Sequence, residues 1–414
     1  METKLIDHLF RHHSGKMVAV LTRYFGLSNL EIIEDAVQDT FLKASILWRK
    51  EQPENPEAWL TKVAKNRILD IFRKLKSEQK HLAEIEKGIA AITIKELFLE
   101  SEIEDAQLRM IFTACHPKLD SKDQITFALK TIAGFSIKEI ASALLMKEET
   151  IKKRLLRARN TIKKTNLAFK IPQGKELSQR IERVLNVIYL IFNEGFHSNK
   201  KEILIRKELC GEAIRLCKIL LKNKHTQISS SYALFALMCF HSARLDSKIN
   251  TENQLLDLKN QDRNKWSFPL IQLGNTMMHK AVESDEFSTY HYEAAIVAEH
   301  IKAPNFEQTN WDKILHWYKR LHELQPSAFH LLTMAVVCIQ NKKYVKANYY
   351  FKQIHPQDLA QRAYLFYGAK ADYFAKINKK KEALKYIDLA LDKVTNNLEK
   401  EFLKKRKDRF LKNL

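Results

Sequence analysis

The sequence has little glycine and proline, and its apolar runs are short. Its 414 residues include 9 Gly and 8 Pro, about a third of the average usage of each. Because turns between many short strands depend on these two residues, an all-β fold is disfavoured. The longest apolar runs, such as Leu331 to Ile339, are far shorter than a membrane span. The composition predicts an all-α protein, and no membrane partner is expected.

Cysteine is scarce, and no two cysteines have the close spacing of a metal-binding pair. The five residues are Cys115, Cys210, Cys217, Cys239 and Cys338. An odd number of isolated cysteines supports neither a disulfide framework nor a zinc module. We therefore expect buried thiols in a reducing cytoplasm, with no metal and no cofactor. The start METKLIDHLFRHHSG has no apolar core of a signal peptide, so a cytoplasmic protein is expected.

Acidic residues are outnumbered by basic ones. Lysine and arginine total 70 against 49 aspartate and glutamate, a formal net charge of +21. Such an excess is typical of proteins with a polyanionic partner. Nucleic acid is favoured over a membrane surface. At this length, the chain is expected to form two to four domains, at roughly 100 to 200 residues each.

Residues 1–77 have the pattern of one compact helical unit. Ser28 and Glu31 have capping-box spacing and predict the start of one helix. Asn55 is suited to cap the next helix, which is basic on its polar side. A polar loop, residues 50–55, separates the two helices.

Residues 78–105 are predicted to be an acidic linker. Between Ala83 and Ala106, seven acidic side chains stand against two lysines, a net charge of −5. A second helical domain, residues 106–170, is predicted to follow it.

The second domain contains a helix-turn-helix pattern. Ser136 and Glu139 form a capping box, and a short turn near Met146 and Lys147 leads into the basic helix EETIKKRLLRAR. A basic amphipathic helix alone is most often a solvated face. The capped helix and tight turn before it favour a helix-turn-helix whose second helix enters a major groove.

The remaining residues, 175–414, form a series of amphipathic helices after a break at residues 171–174. In the last part of this region, a pattern of small and apolar residues recurs 36 residues later. The positions that share this displacement are Ala335, Cys338, Ala347, Phe351 and Ile354, which recur as Ala371, Phe374, Ala383, Ile387 and Ala390. Small residues at helix crossings are typical of tetratricopeptide repeats, whose period is about 34. A tetratricopeptide-like helical-repeat domain is therefore predicted.

These sequences together resemble a known family. EDAVQDTF followed by AWLxxVAxNxxxDxxR resembles region 2 of bacterial RNA polymerase sigma factors, and SIKEIASALLMKEETIKKRLLRAR resembles region 4 of their extracytoplasmic-function type. YLIFNEGF, LCGEAIRL and QDRNKW resemble a subgroup with a tetratricopeptide-like extension. The resemblance implies a non-enzymatic protein that binds core RNA polymerase and promoter DNA and directs transcription initiation. Its repeat domain would be regulatory and would contact the sigma portion or a protein partner.

The resemblance also implies positions for the two interfaces. The polymerase-binding positions, as contacts or supports, are Asp35, Gln38, Asp39 and Phe41. Those for the minus-ten element are Lys62, Lys65, Asn66, Arg73 and Lys74, beside the loop 50–55, which matches the place where a flipped base is captured. Those for the minus-thirty-five element are Thr150, Lys152, Lys153, Arg154 and Arg157. The turn before this last helix lacks the glycine common in the family.

Other interpretations stay open on the residues alone. The chain could be a helix-turn-helix transcriptional regulator with a ligand- or protein-sensing helical domain. Residues 175–414 contain no recognisable catalytic motif, so an enzyme is not expected. Glu194, Asp262 and Arg263 fit either a buried ionic network or a partner site, and Gly195 fits a left-handed helix terminator.

Overall fold

The structure is a computed structural model that describes residues 2–48, 52–75, 100–144, 146–196, 206–248, 250, 256–395 and 397–413. Within these ranges the regular elements are helices without strands, which confirms the all-α prediction. None of these helices combines the length and the apolar character that a membrane crossing requires. The chain divides into two compact units, Met1–Ile191 and Phe192–Leu414.

The first unit contains both predicted N-terminal domains. Its helices are α1 (Glu2–Phe25), α2 (Leu30–Leu47), α3 (Pro56–Leu75), α4 (Glu100–Ala114), α5 (Ser121–Thr131), α6 (Ile137–Ala143), α7 (Glu148–Lys164) and α8 (Gly174–Phe196), the last residues of which belong to the second unit. The predicted break at 171–174 separates α7 from α8, and the first unit continues beyond it to Ile191.

Two predicted helix starts are confirmed. The backbone N–H of Ser136 donates to Glu139 Oε2 at 2.8 Å, and the N–H of Glu139 donates to Ser136 Oγ at 3.2 Å. Asn55 Oδ1 accepts from the N–H of Ala58 at 3.0 Å at the start of α3. In both places, a side-chain oxygen satisfies a donor that the helix itself leaves without a partner.

The capping box expected at Ser28 is wrong. Residues Leu27–Asn29 form a 3₁₀ turn, and α2 begins only at Leu30, without a side-chain cap. The side chain of Asn29 instead donates to the carbonyl of Phe25, at 2.6 Å. The turn therefore ties the end of α1 to the start of α2.

Helix α1 joins the two predicted domains of the first unit, because it packs against α2 and also against α4 and α5. At Gly15 the approach is so close that a Cβ atom would lie 1.9 Å from the carbonyl oxygen of Ile132, just after α5. Fully buried side chains of α1 to α5 make the core: Leu21, Ile33, Leu60, Ile68, Phe112 and Phe127.

The end of the predicted acidic linker is helical. Residues 76–99 lie outside the described residues, whereas residues 100–105 open α4. Arg23 of α1 pairs there with Glu102 and with Asp105, the latter at 3.2 Å. These acidic side chains thus help to attach α4 to α1.

The second unit continues as a series of helices. They are α9 (Lys207–Lys222), α10 (Ser229–Ser242), α11 (Phe268–Ala281), α12 (Thr289–Lys302), α13 (Trp311–Leu324), α14 (Ala328–Gln340), α15 (Tyr344–Phe351), α16 (Ala363–Lys376), α17 (Lys380–Lys393) and α18 (Asn397–Asn413). Successive helices pack against each other from α11 to α18.

The repeat of 36 residues is also present in the backbone conformation. Lys342, between α14 and α15, has φ 55°, and Asn378, between α16 and α17, has φ 60°. The N–H of Lys343 donates to Cys338 O at 2.8 Å, and that of Lys379 donates to Phe374 O at 2.9 Å. Two helix hairpins therefore share one turn conformation at equivalent positions.

Two expectations about buried residues have different outcomes. The five cysteines, one of them in the first unit, are buried thiols, as predicted. The role expected for Gly195 is wrong, because Gly195 lies inside α8 and is absent from the positive-φ residues. A Cβ there would lie 2.8 Å from the backbone nitrogen of Cys210, so this glycine permits a close approach.

Candidate polymerase and nucleic-acid interface

Helix α2 divides the four polymerase-binding positions into two pairs. Asp35 and Gln38 are exposed. Asp39 accepts from the Arg67 guanidinium, with Nη2 to Oδ2 at 3.1 Å. Phe41 is 4% exposed, and its ring contacts that of Phe10 edge to face. The first pair can contact a partner, whereas the second supports the packing of α2.

The exposed side of α2 continues into apolar residues that the sequence reasoning missed. Leu42 is 62% exposed and Ile46 is 59% exposed. They follow Gln38 at intervals of four residues and so lie on its side of the helix. Apolar residues outside the buried stripe of an amphipathic helix were the signal available in the sequence. We call Asp35, Gln38, Leu42 and Ile46 the α2 face.

The basic side of α3 lies at the surface. Lys62 and Asn66 are exposed, and Lys65 is partly exposed. Leu60, Ala64 and Ile68 are fully buried on the opposite side.

Two further predicted positions, Arg73 and Lys74, belong to the backbone of α3. Their side chains lie outside the described residues, so their predicted role stays a prediction.

The loop between α2 and α3 is bordered by two tryptophans. Trp48 ends α2 and Trp59 lies in the first turn of α3, and their rings meet edge to face at 5.4 Å. Trp48 is 4% exposed, and its indole N–H is buried without a hydrogen-bond partner in the described structure. The loop that the sequence analysis assigned to a flipped base is thus bordered at both ends by the contact between Trp48 and Trp59. Residues 49–51 of this loop lie outside the described residues.

Helix α7 presents its predicted DNA-binding positions on its outer side. Its inner side is buried through Ile151, Leu155, Ala158 and Ile162. On the outer side, Lys152, Lys153 and Arg157 are exposed, and Thr150 and Arg154 are partly exposed. The turn before α7 is closed without glycine at its described positions, since the N–H of Met146 donates to Ala141 O at 2.9 Å.

Several of these cations already have acceptors within the protein. Lys152 pairs with Glu149 at 2.6 Å, and this contact lowers the pKa of Glu149. Arg157 forms a two-bond contact with Asp123, at 2.8 and 3.1 Å. A phosphate would compete with these carboxylates for both cations.

A buried ion pair connects α7 to α2. Arg159 bonds to the carboxylate of Glu34, which is 4% exposed, and lies 3.5 Å from Glu31. Burial raises the pKa of Glu34, and the neighbouring Arg159 opposes this shift without cancelling it. The two partners are 125 positions apart in the sequence, so neither helical spacing nor motif could reveal their contact.

Comparison with known families covers the two N-terminal domains separately. Residues 9–78 match the family described as sigma-70 region 2, and residues 109–162 match sigma-70, region 4. Both matches fall on the helices described above, in the expected order. The chain carries sigma-70 region 2 and region 4 domains. Residues 180–282 match a family of unknown function, DUF6596, which fits the predicted subgroup with an extension.

Two relatives illustrate the range of similarity. An uncharacterized protein of Rhizobium meliloti (strain 1021) is 29% identical over 414 residues, covering 98% of this chain and 96% of its own. The ECF RNA polymerase sigma factor SigE of Mycolicibacterium smegmatis is 24% identical over 157 residues, covering 38% of this chain and 60% of its own. The chain is thus similar to the first over nearly its whole length and to the second over part of it.

Proposed function

We propose that this chain is a sigma factor that binds core RNA polymerase, directs it to promoters and supports transcription initiation, without covalent chemistry of its own. One observation carries the proposal: the two sigma-70 domains are present in order, and on each the matching polar positions with described side chains are exposed or partly exposed. Such a function is carried out in the cytoplasm, where polymerase and promoter DNA are found.

The α2 face is the proposed polymerase contact. It combines two exposed polar side chains with two apolar side chains that are more than half exposed. An apolar centre with a polar border is typical of a protein interface. We propose that Leu42 and Ile46 form this centre, while Asp35 and Gln38 fix its orientation.

The basic side of α3 and the outer side of α7 are the proposed DNA contacts. Lys62 and Lys65 are suited to the phosphate backbone near the minus-ten element, and the loop beside Trp48 and Trp59 is the proposed place for a flipped base. The outer side of α7 is proposed to enter the major groove at the minus-thirty-five element.

The polymerase contact is tested with purified full-length chain and core polymerase. We expect binding and promoter-dependent transcription, both reduced at least tenfold by Leu42→Asp, because a buried charge opposes an apolar interface. Val345→Asp, at a site 87% exposed in the second unit, is the matched control and should have no effect. Failure of the wild-type chain to bind core polymerase would contradict the proposal.

A polymerase-free gel shift tests the alternative of a conventional helix-turn-helix regulator. The sigma proposal expects weak and steeply salt-dependent binding by the free chain. Tight, sequence-specific binding without polymerase would support the regulator instead.

We further propose that the second unit regulates the sigma portion, through contact with it or with a protein partner. A chain ending at residue 170 would lose Arg180, which is buried in the first unit, bonds to the carbonyl of Phe112 and pairs with Glu176 at 3.0 Å. A chain ending after Phe196 keeps this contact and tests regulation more cleanly. Unchanged promoter activity of that chain in cells would remove the regulatory proposal.

A further inference from the structure

The segment between α10 and α11 places two guanidinium groups against one aromatic ring. The guanidinium carbon of Arg263 lies 4.5 Å from the ring centroid of Trp266, and that of Arg244 lies 5.8 Å from it. Trp266 is 8% exposed, and its indole N–H donates to Ser247 Oγ at 2.8 Å. The ring is therefore fixed, and it holds both cations in one small region.

Each of these two arginines has a buried donor atom without an acceptor. Arg244 is 9% exposed, and its Nε is buried without a partner. Arg263 donates through Nη1 to the carbonyls of His300 and Ala303, at 2.8 and 2.7 Å, whereas its Nη2 is buried and unpaired. Among the described residues, no carboxylate forms an ion pair with either arginine.

The carboxylate of Glu307 acts electrostatically on Arg263, but it pairs with Lys259 at 3.4 Å. Two neighbouring positive charges with so little opposite charge are unfavourable in a protein interior. Burial, and then repulsion by Arg263, lowers the pKa of Arg244 to about 10. Arg244 therefore remains protonated at neutral pH. An anion placed between the two guanidinium groups would neutralise them and accept their unused N–H donors.

A histidine connects this cluster to a cavity. The carbonyl of His300 accepts the hydrogen bond from Arg263, and the ring Nδ1 of His300 is buried without a partner. His300 also lines a cavity of about 880 Å³, together with Phe306 and Trp311. Burial, and then the two arginines, lowers the pKa of His300 to about 3, so its ring is neutral. The cavity volume lies within the usual range of ligand sites, about 300 to 1,000 Å³.

We propose that Arg244, Arg263 and His300 form a binding site for a phosphate group, either free or carried by a small ligand. A phosphate carries about −1.5 to −2 charges at neutral pH, which matches two guanidinium groups better than a single carboxylate does. Arg244 and Arg263 supply charge and paired donors, and neutral His300 supplies one further hydrogen bond. The two arginines and the tryptophan ring between α10 and α11, Arg244, Arg263 and Trp266, lie within the residues that match DUF6596.

This site goes beyond the proposed sigma function and does not depend on it. The structure also shows whether Arg263 joins Glu194 and Asp262 in an ionic network. Asp262 caps a 3₁₀ turn by accepting from the N–H of Asn264 at 3.0 Å, and Glu194 interacts electrostatically with Arg206 and Arg362. Arg263 is therefore not part of an ionic network with these two acids.

The test uses the full-length chain without polymerase. Titration calorimetry and thermal unfolding are measured with inorganic phosphate and with phenyl phosphate, at constant ionic strength set by chloride. Wild type should bind phosphate and unfold at a higher temperature in its presence. Arg244→Met should weaken binding by about tenfold to a hundredfold, since charged hydrogen bonds are lost. Tighter binding of phenyl phosphate indicates a ligand that extends into the cavity, and equal binding indicates free phosphate.

The sign of the stability change separates a ligand site from a purely structural role. Without phosphate, Arg244→Met should unfold at the same or a higher temperature than wild type, because it removes an uncompensated buried cation. With phosphate, wild type should become the more stable protein. Lys265→Met, which removes an exposed charge from the adjacent turn, is the control and should respond as wild type does. An equal phosphate response in wild type and Arg244→Met, or no response in either, would overturn the proposal.

Discussion

The two units treat buried charge differently. In the first unit, buried Glu34 bonds to Arg159, buried Asp123 bonds to Arg157, and buried Arg180 bonds to a carboxylate and a carbonyl. In the second unit, Arg244 and Arg263 both lie against Trp266, and neither forms an ion pair with a described carboxylate. Single buried atoms lack a hydrogen-bond partner in both units, among them Arg159 Nε and Arg180 Nε in the first. The units therefore differ in charge pairing: the first pairs its buried charges with opposite charges, and the second leaves two cations without a paired carboxylate.

Charge pairing can therefore separate structural from binding residues without a known ligand. A buried charge that is paired with an opposite charge is explained by the fold that surrounds it. A buried charge without such a pair has a desolvation cost that is offset less fully. Measurements of stability can test this distinction.

The largest effect is expected at the ion pair between α7 and α2. Arg159→Met leaves Glu34 buried without its partner and should lower the free energy of unfolding of the first unit by about 3 to 5 kcal/mol. Native-state hydrogen exchange, measured on peptides from α1 and α2, gives this change in the free energy of unfolding. Arg320→Met, which removes an exposed pair with Glu323, should have little effect. The double variant Glu34→Leu with Arg159→Met should recover most of the loss, and if it does not, packing rather than charge pairing holds α7 to α2.

The second effect concerns the close packing of the first unit. Gly15→Ala forces a Cβ atom against the Ile132 carbonyl, and we expect a loss of about 3 kcal/mol. Gly211→Ala is the matched control, because a Cβ there meets nothing within 4 Å inside α9. This control should be stabilising by up to about 1 kcal/mol. Equal thermal midpoints for the two variants would show that α1 moves easily away from α5.

The third effect is a pH dependence in the second unit. Lys248 donates to the carbonyl of Phe196 at 3.0 Å, and burial, followed by Arg244, lowers its pKa to about 7. Between about pH 7 and the unfolded value of 10.5, the unfolded chain binds the extra proton, so stability should rise with pH. The maximum slope is about 1.4 kcal/mol per pH unit. Lys248→Met should lack this increase in urea unfolding, and identical slopes would show that Lys248 is not neutral in the folded state.

The smallest effect on stability is expected at an exposed pair. Glu149→Gln releases Lys152 on the outer side of α7, and the thermal midpoint should not change measurably, because exposed pairs contribute little. Under the proposed function, promoter binding by the polymerase complex should strengthen and its salt dependence should steepen. Glu323→Gln is the control in the second unit. Unchanged promoter binding would place Lys152 away from the DNA phosphates.

Local signals accounted for much of the fold. The capping box at Ser136, the cap at Asn55 and the repeat spacing all depend on residues close in sequence or on periodicity, and each is present in the structure. The start of α2 was misplaced because Asn29 bonds back to α1, a competing local bond that the capping motif does not reveal. Gly195 was misread because its requirement comes from Cys210, on another helix.

The candidate sites were less predictable. Family resemblance supplied the positions on α2, α3 and α7, and helical periodicity already separated Gln38 from Phe41, which are exposed and buried in the structure. Contacts such as Arg159 with Glu34 join distant parts of the chain, and a single sequence contains no spacing rule for them. The same holds for Arg244 and Arg263, whose position against one aromatic ring is a property of the folded interior.

The shared turn at Lys342 and Asn378 offers a practical route to new proteins. Because both hairpins close with one left-handed residue at the same position, residues 342–377 form a cassette with matching ends. Duplicating that cassette would lengthen the array by a whole hairpin with a compatible junction on each side. Glycine or asparagine at the junction would ease the backbone conformation that lysine now adopts, so that the length of the extension becomes a variable under experimental control.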